Sequence, residues 1–130
     1  MYFEHAALNV PDPRAMAAWY IKNCGLNIVK SIDVPPYMHF LADATGRVIL
    51  EIYANPKAPI PDYASQEPLM LHIAYAVEDA GTAKDALLAA GATLCSDSGA
   101  SEDGTRLVML RDPWGIPLQL CQRGTPLIMR

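Results

Sequence analysis

Apolar and polar residues alternate with a period of two along most of this chain, and two stretches break into helical spacing. In the first half, residues 2–10, 26–33, 37–44 and 47–54 read as strands, the last of them (RVILEIYA) being the strongest β run. Residues 15–24 place Met16, Trp19 and Tyr20 on one helical stripe. Asp12 stands where it can cap that helix, Pro13 suits its first turn, and Gly25 is its stop signal. Thr45-Gly46 marks a tight turn. The first half is therefore predicted as β-α-β-β-β.

The second half repeats that order. Residues 69–77 read as a strand and Asp79 as a second helix cap. Ala80, Ala83, Leu87 and Ala90 form an apolar stripe that ends at Gly91. Residues 93–96 form a weak strand, 98–103 a polar loop and candidate lid, and 105–111 a strand. A turn at 112–115 leads into a closing strand at 116–122. Four of the eleven prolines (Pro56, Pro59, Pro61 and Pro68) fall within 55–68, which has no period and reads as a linker. One domain of 130 residues is expected, with modules at about 1–54 and 69–122. Its tail, 123–130, carries Leu127 and Ile128 to dock on the body or on a partner chain.

The two halves align residue by residue. His5–Asp12 (HAALNVPD) sits over His72–Asp79 (HIAYAVED), and Leu50-Glu51-Ile52 over Leu118-Gln119-Leu120. Each half thus offers one histidine on its first strand and one Glu or Gln on its last. Strand alternation sends Leu8, Val10, Leu50, Ile52, Leu118 and Leu120 toward the helices. His5, Glu51, His72 and Gln119 go to the opposite face, with Phe3 and Tyr53. Imidazole nitrogens with carboxylate or amide oxygens suit one divalent ion: Zn, Ni, Co, Mn or Fe. A carboxylate inside VILEIYA needs a partner, and a cation supplies one.

Composition narrows the classes. The chain is 52% hydrophobic and 18% charged, enough apolar material for a core, and its net charge of −4 argues against electrostatic nucleic-acid binding. No apolar run reaches the ~18–20 residues that span a bilayer, and the start does not read as a secretory signal. Three cysteines without paired spacing favour reduced thiols, so a cytoplasmic location is expected.

These features together resemble the vicinal oxygen chelate superfamily, which includes glyoxalase I, bleomycin- and fosfomycin-resistance proteins, methylmalonyl-CoA epimerase and extradiol dioxygenases. The resemblance rests on FEHAALNVPDP around His5, the helix ending NCGL, LEIYANP around Glu51, HIAYAVED at His72, and DPWGIPLQL around Gln119. It implies an α+β fold of two βαβββ modules around a pseudo-twofold, partly open β-barrel cavity. It also implies a metal ion held by side chains of both modules, and commonly a homodimer. Glyoxalase-I-like members usually carry Glu where Gln119 stands, and the fosfomycin-resistance and dioxygenase members also have Glu there. Epimerase-like members show His, Gln, His, Glu; exchanging their modules gives the His, Glu, His, Gln of this chain.

The function implied is a metal-dependent, glyoxalase-like lyase or isomerase that takes a small substrate with vicinal oxygens through an enediolate. Glu51 is the catalytic proton carrier, because an amide at 119 cannot accept a proton. Two other classes stay open. An Fe(II) ring-cleaving dioxygenase would use His5, His72 and Glu51 as a two-His-one-carboxylate triad. A non-catalytic binding or resistance protein would depend on cavity residues, for which Phe3, His39, Tyr53, Met109 and Trp114 are candidates. Arg106 and Arg111 are weaker candidates for meeting an anionic group, and Cys121, two residues after Gln119, for lining the cavity.

Overall fold

Both helices begin at a capping aspartate and end beside a glycine. In the computed structural model, which describes residues 1–128, Asp12 Oδ1 accepts the Ala15 backbone N–H at 3.0 Å and opens α1 (Pro13–Cys24). Gly25 follows at φ +69°, the left-handed conformation that glycine adopts without steric cost. Asp79 Oδ1 accepts the Thr82 N–H at 2.8 Å and opens α2 (Ala80–Ala89) in the same way.

The chain divides into two compact units, Met1–Pro61 and Asp62–Arg130. The first contains β1 (Ala6–Asn9), α1, β2 (Asn27–Ser31), β3 (His39–Ala42) and β4 (Val48–Tyr53). Its sheet order is β1-β4-β3-β2, with β1 parallel to β4 and the other pairs antiparallel. The second contains β5 (Ile73–Ala76), α2, β6 (Thr93–Asp97), β7 (Arg106–Arg111) and β8 (Pro117–Gln122), ordered β5-β8-β7-β6 with the same directions. The fold is thus α+β, two βαβββ modules, and its strands form two four-stranded sheets rather than one closed barrel. Duplication extends to a defect: the edge strand of each sheet is bulged four residues past the glycine, at Val29 and at Cys95.

Alternation along the central strands decides what is buried. In β4, Leu50 and Ile52 are buried while Glu51 and Tyr53 stay half-exposed; in β8, Leu118 and Leu120 are buried around a half-exposed Gln119. Met16, Ala17 and Tyr20 of α1 are buried in the first unit, and Ala80 and Leu87 of α2 in the second. Among the described residues no helix is long and apolar enough to cross a membrane.

Several predicted strands are shorter than expected. The strand expected from residue 2 starts at Ala6, where its parallel pairing with β4 begins opposite Leu50. The one expected from residue 69 starts at Ile73, after a turn at 68–70. The expected linker is also more ordered than its composition suggests. A 3-10 turn, Tyr63–Ser65, buries Tyr63, and the Arg111 guanidinium donates to the carbonyls of Tyr63 (2.8 Å), Gln66 (2.6 Å) and Gly115 (3.1 Å). Arg111 therefore fastens this segment to the sheet. Of the predicted tail, Leu127 and Ile128 are exposed, and residues 129 and 130 lie outside the described residues.

The expected lid, 98–103, is tied to the sheet and closed on itself. Ser98 Oγ accepts the Leu107 N–H, and Ser101 Oγ donates to Thr105 O. Beside it, Arg106 donates through Nε and Nη2 to Asp97 at 2.9 and 2.6 Å, and Gly99 N–H and Lys84 Nζ donate to the same carboxylate. Arg106 is thus committed to an internal ion pair.

A Cβ built on Gly115 (φ +85°) would lie 2.7 Å from Ala64 Cβ and 3.0 Å from its backbone. Gly115→Ala should therefore cost about 1–3 kcal/mol in denaturant unfolding, and an unchanged midpoint would refute the close packing of turn and linker. The donors on Asp97, Arg106 foremost, hold its carboxyl well below the usual carboxylate range. With the folded-state pKa depressed, the stabilisation is present at neutral pH and is lost as pH falls below about 3.9 toward the folded value. Asp97→Asn should be less stable than wild type at pH 7 and show a shallower loss in acid, read from unfolding midpoints across pH.

Candidate functional site

The parallel pairing of β1 with β4 places Ala7 opposite Glu51. His5, two residues earlier, projects to the same face, and its Nε2 lies 3.0 Å from Glu51 Oε2. The other ring nitrogen, Nδ1, is in close contact with Glu4 Oε2. On the far side of β4, Phe40 is registered with Glu51 and meets the His5 ring edge-on, centroids 5.2 Å apart. Side-chain exposure is 28% for His5 and 14% for Glu51, so the pair is partly withdrawn from water yet reachable.

The second unit reproduces this register with different chemistry. Ala74 is opposite Gln119, so His72 stands to Gln119 as His5 stands to Glu51. The His72 Nδ1 lies 2.9 Å from Pro68 O. Met109 is registered with Gln119, taking the place that Phe40 has beside Glu51. The Cys121 thiol donates to Gln119 Oε1 at 3.3 Å. Together with Pro68, Leu69, Cys95 and Arg111, Met109 and Gln119 border a cleft of about 560 Å³, within the size range of small-molecule sites.

The donor set fits a divalent ion, module by module. Two atoms that share an ion at ~2.1 Å stand about 3.0–3.4 Å apart, and His5 Nε2 and Glu51 Oε2 already have that spacing. For His72, an acceptor at Nδ1 leaves Nε2 as the ring atom with a lone pair to give. Among the described residues, no three His, Cys, Asp or Glu side chains are grouped to hold an ion. Each unit thus presents one such pair.

Other candidates fall differently. His39 is opposite Ile52, so it belongs to the buried, helix-facing side rather than the Glu51 side; it is 7% exposed and its Nδ1 is 2.6 Å from Tyr37 O. Trp114 lies in the turn before β8 and does not border the cleft. Phe3 precedes β1 and is 65% exposed, while Tyr53 ends β4 two residues beyond Glu51, half-buried on its face. Phe40 and Glu4 were missed. Carrying the repeat into the third strand would have aligned Phe40 with Met109, whereas nothing in the sequence marks Glu4 as a partner of His5.

The family model described as the Glyoxalase/Bleomycin resistance protein/Dioxygenase superfamily matches residues 2–120. No curated protein sequence is similar enough to match. Among solved structures, a glyoxalase family protein from Bacillus cereus superposes with a TM-score of 0.76 at 18% identity, over 94% of this chain and 93% of that one. A mutant of the fosfomycin resistance protein FosX from Listeria monocytogenes, complexed with Mn(II) and dihydroxypropylphosphonic acid, gives 0.70 at 19%, over 97% and 91%. TnmS3, an antibiotic binding protein from Streptomyces sp. CB03234, gives 0.68 at 16%, over 94% and 95%. At these identities the likeness is one of fold.

The two sheet thiols of the second unit should react very differently. Cys95 is exposed on the cleft, whereas burial pushes the Cys121 thiol up from its ordinary value. A soluble alkylating reagent at mildly alkaline pH should label Cys95 at least roughly tenfold faster than Cys121, as resolved by peptide mass spectrometry. Equal rates would contradict the burial of Cys121.

Proposed function

The chain belongs to the Glyoxalase/Bleomycin resistance protein/Dioxygenase superfamily, and from that premise we propose that it is a divalent-metal-dependent lyase or isomerase of the glyoxalase type. The observation that carries this reading is the repeated register: Ala7 opposite Glu51 and Ala74 opposite Gln119, with a histidine two residues before each alanine. A structural histidine needs no such repetition. His5, Glu51, His72 and Gln119 would hold the ion, each module contributing its pair, whether from one chain or from two. When bound, the ion supplies Lewis acidity to two neighbouring substrate oxygens, which acidifies the adjacent C–H.

The chain's own residues do the rest. His5 and His72 donate as neutral imidazoles, and Gln119 offers an amide oxygen without charge. Glu51 is the proton carrier, since it is the one acid among the four and stands half-buried within reach of the site. The apolar lining of the cleft, with Leu69, Leu107 and Met109, receives the non-reacting part of a small molecule. Exposed Leu69 and Met70 also support a homodimer, which would bury them.

A second reading, ligand sequestration without turnover, is favoured by the amide at position 119, which removes one of two possible bases. The experiment that separates them is elemental analysis of wild type, His5→Ala and Glu51→Ala after exposure to divalent ions. About one ion per chain, lost in both variants, is expected. Glu51→Gln should also slow exchange of the substrate C–H with deuterated solvent by about 10²–10⁴. Wild type that takes up no ion, yet still binds small apolar ligands, would establish the sequestration reading instead.

A further inference from the structure

We propose that Glu4 is a positioning residue for His5, a carboxylate that fixes the imidazole so that Nε2 is presented to the ion; this rests on the metal-dependent reading above. Glu4 is 73% exposed, yet its Oε2 is in contact with His5 Nδ1 while His5 Nε2 faces Glu51 at 3.0 Å. With Phe40 edge-on to the ring, the imidazole is held at Nδ1 and against one edge. A ligating histidine characteristically gives its other N–H to an oxygen, which sets the tautomer and strengthens the donor.

His72 has the neutral version of this tether, the Pro68 carbonyl. A carboxylate makes the stronger hydrogen bond, so the first module holds the firmer donor of the two. The tether alone does not define a site, because His39 has one too, to Tyr37 O, on the buried face. What sets His5 apart is a tether at one nitrogen and a facing donor, Glu51, at the other.

The test is metal affinity of the full chain, by competition for Zn(II) with a chromophoric chelator, on wild type, Glu4→Ala, Glu4→Gln and Glu4→Asp. Glu4→Ala should weaken binding about 10–100-fold, with Glu4→Gln between it and wild type and Glu4→Asp recovering part of the loss. The visible spectrum of the Co(II)-loaded protein should change in Glu4→Ala, while the unfolding midpoint of the metal-free protein should not. Glu4→Ala with wild-type affinity and an unaltered cobalt spectrum overturns the inference alone, provided Glu51→Ala abolishes binding. Wild type that binds neither ion overturns both this inference and the metal-dependent reading.

Discussion

The pairing of β1 beside β4, and of β5 beside β8, is the constraint on which the rest of the structure depends. Each first strand is joined to its partner only after a helix and two further strands have been laid down, so the contact between His5 and Glu51 spans 46 positions. Parallel neighbours require such a crossover, and α1 and α2 supply it while burying one face of each sheet. A slip of one residue in either strand would send Glu51 toward the buried Leu50 and Ile52 side and expose those residues instead. Register, core and candidate site are therefore one specification, enforced by the cost of burying an unpaired carboxylate.

Duplication of that geometry has allowed the chemistry of the modules to diverge. Glu51 in the first module corresponds to Gln119 in the second, Phe40 corresponds to Met109, and the carboxylate tether of His5 has a neutral carbonyl as its counterpart at His72. On the proposed reading, one carboxylate and three neutral donors leave a divalent ion with a net positive charge. That surplus is what polarising a substrate oxygen requires.

Much of this was legible in the order of residues. Helix boundaries were marked by Asp12, Gly25, Asp79 and Gly91, because capping and left-handed stops depend on local backbone chemistry. The facing of Glu51 and Gln119 followed from strand alternation, which pairing preserves. What was not legible depends on partners distant in sequence. The late starts of β1 and β5 reflect where neighbouring strands and turns fall, and Arg111 became a clamp because Tyr63 and Gln66 return to it from the linker. His39 was misplaced because its strand alternates with two kinds of neighbour, and only the pairing with Ile52 decides between faces.

The arrangement around Glu51 also bears on how one fold serves both catalysis and binding. A carboxylate that only anchors a structure is usually saturated by donors, as Asp97 is by Arg106, Gly99 and Lys84. Such saturation stabilises the charged form and makes it a poor proton acceptor. Glu51 is different: its side chain faces one imidazole, at 3.0 Å, and an aromatic residue on the next strand. On the proposed reading, its remaining lone pairs are the ones an ion would take. The second module has filled the same position with an amide whose oxygen accepts the Cys121 thiol. On the proposed reading, a carboxylate in one module and an amide in the other leave Glu51 as the single proton carrier of the four ligands.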